Sequence, residues 1–324
     1  MYPPVTFQTI VHHHRYRCLF LAFVFAAILA SLPVDMFIDR DNYILYAIDA
    51  VNVFKSNLSQ GWLRSLTNEP VWLGINILLG NLADPKGVLR IIIFISSFVV
   101  AYLTLQTEPR ALIILVLFLL LPQILKNHVI HLRQGVAVAV FLLAWFGASK
   151  STRVVLLCLT PLIHASFFFV IFLYALNCFF VRFNFSAGLR LLTYLIVSLL
   201  LAGTSLWLAS QLGARQGDQY QSAALEISGL GFVFWLGFFT LFILQGPTFL
   251  RANSFQAGLL LFYLVSYFAL PIGARIFESG LILIMLAALQ LTGWRKQAFY
   301  LMFAFYFCMQ WLPRLFLPGF GWAV

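Results

Sequence analysis

Residues 154–180 read VVLLCLTPLIHASFFFVIFLYALNCFF. An apolar run of this length is too long for one level crossing of a hydrocarbon core of about 30 Å and too short for two full crossings. Pro161 interrupts helix hydrogen bonding inside it, and basic loops flank it, Ser149-Lys150-Ser151-Thr152-Arg153 before and Arg182 to Arg190 after. Short loops rich in Lys and Arg stay in the cytoplasm, so a run that leaves one such loop and enters another must come back to its own side. The stretch therefore reads as a bent hairpin whose turn, at the periplasmic side, carries His164 and Ser166.

The rest of the chain repeats the theme. Of 324 residues 62% are hydrophobic and only 9% charged, which leaves too little polar surface for a water-soluble domain. Further apolar runs fall at 18–34, 71–83, 88–105, 111–125, 134–148, 189–209, 229–246, 255–273, 279–293 and 297–312. The expected fold is all-α, a polytopic integral membrane protein of ten or eleven transmembrane or re-entrant helices, forming one domain over 1–324. No internal repeat is visible, so the inverted-repeat signature of many secondary transporters is missing. The run 71–83 is short for a span and is assigned a dip into the membrane and a return.

Orientation follows from the basic loops, to which the Arg251 loop and Trp294-Arg295-Lys296 belong. The periplasmic face then holds 35–70, 84–90, 126–133, 210–228 and 274–278. Nine of the ten acidic residues lie on that face, while the 20 basic residues divide evenly between the two. His12, His13, His14, Arg15 and Arg17 precede the first apolar run with no small-residue cleavage site after it, so 18–34 reads as an uncleaved first helix starting in the cytoplasm. The net charge of +10 is scattered over many loops and forms no stripe, which excludes nucleic acid as a partner. Cys18, Cys158, Cys178 and Cys308 lie singly in apolar segments, without the spacing of a disulfide framework or a zinc site.

Four places could carry chemistry. In Lys126-Asn127-His128-Val129-Ile130-His131-Leu132-Arg133-Gln134-Gly135 a guanidinium stands at a helix mouth beside an amide, a geometry suited to phosphate oxygens. Basic side chains that merely snorkel at the interface would look the same. His128 and His131 share a helical spacing, but no third ligand accompanies them for a metal. His164 is the one histidine inside an apolar run and is a candidate base, or else a residue that satisfies the Pro161 kink. Arg275 and Glu278, three apart in Pro271-Ile272-Gly273-Ala274-Arg275-Ile276-Phe277-Glu278, are either a neutralised pair or an intramembrane functional site. The 35–70 segment brings Asp39, Arg40, Asp41, Tyr43, Tyr46, Asp49, Trp62 and Glu69, the carboxylates and flat apolar rings that sugars require; an interfacial amphipathic helix would carry the same mixture.

Taken in order, these residues resemble the EpsG family of exopolysaccharide biosynthesis proteins, relatives of the Wzy-type O-antigen and capsule polymerases. The matching elements are Asp41 followed by Tyr43 and Tyr46, the Glu69-Pro70 pair, and Arg133-Gln134-Gly135 with Ala137. A Lys/Arg loop, His164-x-Ser166 and the late Arg275 before an aromatic complete the set. The resemblance spans about 35–280. Two departures are Phe277, where the family more often has Tyr, and room for one helix rather than two before Asp41.

The resemblance implies a glycosyltransferase C-type membrane fold in the bacterial inner membrane, with the active face periplasmic. The implied activity is a polysaccharide polymerase that joins undecaprenyl-pyrophosphate-linked oligosaccharide repeat units, as for O-antigen, capsule or exopolysaccharide. The reaction is a metal-independent glycosyl transfer that needs no cofactor. Arg133, Gln134 and Arg275 would face the pyrophosphate, and His164, Glu278, Asp41 or Glu69 would supply the base. A chain-length regulator protein is an implied partner beside the lipid. Two other readings stand: a transporter or flippase of lipid-linked glycans, and an O-antigen ligase, whose usual long periplasmic loop is not matched by the modest 35–70 segment.

Overall fold

A computed structural model describes residues 12–147, 149–211, 229–270 and 272–323. Among them every regular element is helical, sixteen α-helices and four short 3-10 turns, and the only β feature is a single bridge between Phe37 and Ala323. Residues 212–228, most of the expected 210–228 periplasmic loop, and Pro271 lie outside the described residues. The helices gather into two compact units, one of residues up to 165 together with 308 onward, the other of 166–307.

The first unit contains α1 (His12–Ser31), α2 (Arg40–Ser59), α3 (Trp62–Thr67), α4 (Pro70–Gly80), α5 (Pro85–Leu105), α6 (Leu112–Leu119), α7 (Pro122–Val129), α8 (Leu132–Phe146) and α9 (Lys150–Ile163). Its centre is α5, against which α1, α2 and α8 pack; α9 lies on α8, and α4 bridges α2 and α9. Three of these helices, α4, α5 and α7, begin on proline, where the missing N–H costs nothing because the first turn has no internal acceptor.

Proline also explains a correction. The run 111–125, expected as one helix, is broken into α6 and α7, which meet at 64°. Pro122 cannot continue a helix from Leu121, which adopts an extended conformation (φ −61°, ψ 133°). The 154–180 run is likewise divided, with helical conformation abandoned at His164 (φ −149°, ψ 123°). Pro161 is not the break itself: α9 runs through it and stops two residues later at Ile163. The 35–70 segment is largely helical, as α2 and α3, with a kink in α2 at Asp49 (φ −118°, ψ 16°).

The second unit contains α10 (Phe167–Arg182), α11 (Ala187–Gln211), α12 (Leu230–Gln245), α13 (Pro247–Ala252), α14 (Ser254–Ser266), α15 (Gly273–Ala288) and most of α16 (Trp294–Trp311). Here α14 is central, packed by α11 and α15. Gly258 lets the Tyr194 ring come so close that an added Cβ would lie 2.5 Å from it.

Helices α1, α5 and α11 are long and apolar enough to cross a membrane, and the bent α6–α7 pair makes a fourth candidate. Helices α4, α8, α10, α12 and α14 are apolar but shorter than the roughly 20 residues that a full span takes; glycine stands at the end of α4, α8 and α12. Phe20 and Ile28 on α1, Ile113 on α6, Leu199 on α11 and Leu301 and Phe305 on α16 all stand exposed. Apolar surface on this scale suits lipid rather than water.

Candidate functional site

The first unit buries one carboxylate and joins it to two basic side chains. Glu69 caps the start of α4 with a left-handed backbone (φ 59°, ψ 54°), a conformation that costs a non-glycine residue on the order of 1 kcal/mol. Such strain persists where the surroundings over-determine it, and those surroundings are visible. One carboxylate oxygen is ion-paired with Arg133 Nη1. The other accepts from His164 Nδ1 at 2.8 Å and from the Ala165 N–H at 3.4 Å. Glu69, His164 and Arg133 are all largely shielded from solvent, with 7%, 5% and 16% of their side-chain surface exposed.

Three helix ends create this meeting. Arg133 is the second residue of α8, His164 closes α9, and Glu69 opens α4. The guanidinium of Arg133 also lies over two rings of α2, 5.8 Å from the Tyr43 centroid and 5.6 Å from that of Tyr46. Those tyrosines are three apart and so face one way on the helix. Tyr43 in turn packs edge-on against Trp72, with centroids 5.6 Å apart.

Electrostatics divides the roles. Burial alone would raise the Glu69 carboxyl, but Arg133 and the His164 hydrogen bond outweigh it and hold it at about 2. An ionised carboxylate only accepts, so the His164 Nδ1 carries the hydrogen and Nε2 is the ring atom left to take a proton. The Glu69 carboxylate, bonded to Nδ1, fixes the orientation of the imidazole.

The other expected site residues fall as follows. Gln134 is fully buried beside Arg133, whereas Asp41 stands exposed in the first turn of α2. Gly135 is a packing residue: a Cβ there would lie 2.2 Å from the Asn127 carbonyl oxygen, so only glycine lets α7 and α8 meet this closely. His128 is buried against Ser96, its Nδ1 3.2 Å from the hydroxyl, while His131 lies 3.9 Å from Asp39. Among the described residues no group of three His, Cys, Asp or Glu is arranged to hold a metal ion.

Arg275 and Glu278 belong to the second unit, in the first turns of α15, the arginine half-buried and the glutamate buried. The next residue, Ser279, donates to the Arg275 carbonyl at 2.9 Å and lies 3.4 Å from the Ser166 hydroxyl. Phe277 is stacked on Tyr263 with centroids 4.2 Å apart and meets Trp235 at 4.6 Å. The Phe277 ring is thus enclosed by aromatic neighbours.

Sequence reasoning passed over Arg40, which is 2% exposed. It stands among the charges of the 35–70 segment, which reads as a periplasmic loop or an interfacial amphipathic helix, and neither reading buries a guanidinium. The available signal was the Arg40, Tyr43, Ala47 spacing, a helical face that turns inward. Comparison with protein-family models, curated proteins and solved structures finds no match for the chain.

Proposed function

We propose that the chain is a polysaccharide polymerase of the Wzy/EpsG kind, joining undecaprenyl-pyrophosphate-linked oligosaccharides at the periplasmic face of a bacterial inner membrane. The observation that carries this reading is the buried set of Glu69, His164 and Arg133, gathered by three helix ends. In the proposed reaction a sugar hydroxyl of one repeat unit loses its proton to His164 Nε2 as its oxygen bonds to the anomeric carbon of a second chain. The anomeric bond to the lipid pyrophosphate breaks, and its electron pair leaves with the pyrophosphate. Glu69 stabilises the imidazolium that forms, as a carboxylate beside a catalytic histidine does. Arg133, fixed by Glu69 and the two tyrosines, presents its remaining face to the developing negative charge.

The test is a purified chain in nanodiscs supplied with a defined undecaprenyl-pyrophosphate-linked repeat unit. The expected result is a ladder of lengthening products with release of undecaprenyl pyrophosphate, abolished in His164→Ala and strongly reduced in Arg133→Lys, which keeps charge but loses the planar fork. Unchanged repeat units would reject the reading. In cells, deletion of the gene should leave single repeat units on the acceptor core, whereas loss of a flippase would leave none.

A further inference from the structure

Two arginines border Tyr43, and their charges are treated differently. Arg133 has Glu69 as its counter-ion. Arg40, one helical turn before Tyr43, is buried, and among the described residues no carboxylate comes within ion-pair distance of it. Neighbouring Asp39 is turned toward Asn42 and His131, and Asp41 is exposed. The Arg40 Nε donates to the Val129 carbonyl at 2.8 Å, and the Phe37 ring lies 5.7 Å from the guanidinium carbon, while Nη1 is buried without any hydrogen-bond acceptor. Burial drives this guanidinium down to about 10.

A buried cation without a counter-charge is costly, and replacing it with an apolar residue would ordinarily stabilise the fold. The acceptor that Nη1 lacks and the missing counter-charge are both what an anion would supply. Phe37, whose ring faces the Arg40 guanidinium, is held in turn by the C-terminal turn: Ile38 N–H donates to the Trp322 carbonyl at 3.0 Å, and Gly319, Phe320 and Gly321 have consecutive positive φ angles of 52°, 59° and 76°. An added Cβ at Gly319 would touch the Phe37 ring at 3.5 Å.

We propose that Arg40 is a phosphate-oxyanion subsite, covered in the structure by Phe37, which the 319–323 segment holds, and uncovered when the anion binds. This deepens the proposed function, on which it rests for the identity of the anion: the lipid-linked pyrophosphate is received by Arg40, whose charge is uncompensated, together with the remaining face of Arg133, whose counter-ion is Glu69. The phosphodiester of an anionic membrane lipid has the same chemistry and is the alternative source.

The experiment measures thermal unfolding of the full chain in phosphatidylcholine nanodiscs, with inorganic pyrophosphate added at constant ionic strength, and in nanodiscs containing phosphatidylglycerol without it. Wild type should show a saturable upward shift with pyrophosphate. Arg40→Met should lose it, and Arg40→Lys should need at least about tenfold more pyrophosphate because the fork is gone. A phosphatidylglycerol-dependent shift that also needs Arg40 would assign the subsite to a lipid headgroup instead.

Without anion, Arg40→Met should melt at or above wild type. A lower melting temperature combined with an unchanged pyrophosphate shift would overturn the proposal and make Arg40 a cap for the end of α7. Absence of any shift in wild type with either anion would overturn it as well. The polymerase reading fails separately: Arg40-dependent pyrophosphate binding without chain elongation would reject the polymerase and keep the subsite, and normal elongation by Arg40→Met would do the reverse.

Discussion

Arg133 in the first unit and Arg190 in the second are both buried arginines near helix ends, yet they keep different company. Arg190 donates from Nε to the Phe185 carbonyl at 3.0 Å and from Nη1 to the Arg251 carbonyl at 3.0 Å and the Ser254 hydroxyl at 3.1 Å. These are the carbonyls that helix ends leave unsatisfied, so its guanidinium fastens the α10–α11 turn to the end of α13. Arg133 instead meets a carboxylate that also holds a histidine, and two phenol rings. Burial of an arginine is therefore no mark of function in itself; what separates the two is the set of groups that their polar atoms meet.

The sharpest way to break the contrast is Glu69→Leu. It strands Arg133 without its counter-ion, and we expect a loss of about 3–5 kcal/mol, read as failure to accumulate or a large drop in melting temperature. Combining it with Arg133→Met should restore much of the stability and none of the activity. If the single variant were as stable as wild type, the ion pair would have no structural weight.

Arg190→Met should come next, at about 2–4 kcal/mol, because several buried carbonyls lose their donor. Activity per folded molecule should be unchanged, whereas Arg133→Lys should show the opposite pattern of normal melting and lost activity. Equal activity loss in both would erase the distinction between the two regions.

A pH series sharpens it further. The Glu69 carboxyl is held at about 2, below the roughly 4.3 of a free glutamate. Its stabilisation is thus fully present above the unfolded value and is lost as pH falls through the folded one. The difference in melting temperature between wild type and Glu69→Gln should be flat near neutrality and shrink on descending from about pH 4 toward pH 2. The same series on Arg190→Met against wild type should show no such Glu69 signature.

The smallest effect concerns glycine. Gly74, inside α4, has nothing within 4 Å of an added Cβ, so Gly74→Ala should stabilise by about 0.5–1 kcal/mol. Gly135→Ala should destabilise, since its Cβ would collide with the Asn127 backbone. Circular dichroism melts of the two variants check both.

The sequence made the helical class legible, and Arg133, Glu69 and His164, which the structure brings together, were among its candidates because an apolar chain leaves few polar residues to choose from. It also placed the 154–180 break near His164. What stayed hidden was pairing. Nothing local in Glu69-Pro70 says that its carboxylate faces a histidine 95 positions later, and Asp41, an equal candidate on composition, proved to be exposed. Gly135 was read beside an anion-binding arginine, yet its constraint comes from a carbonyl on α7, which only the packing of two helices reveals. The proline at 122 was the one signal in plain view whose effect on the 111–125 run went unread.

The end of α16 and the segment that follows it also set a timetable. Trp311 Nε1 donates to the Leu120 carbonyl at the α6–α7 break, 191 positions away, Gln310 is bonded to Gln123, and the backbone at 322–323 pairs with residues 37 and 38. The first unit therefore closes only after the whole of 166–307 has been synthesised. Contacts of such sequence separation are slow to form, so residues 12–165 spend that interval without the clasp that holds their broken helix and the entrance to α2. A chain cut short before residue 310 would leave the 120–123 corner without the two side chains that hold it.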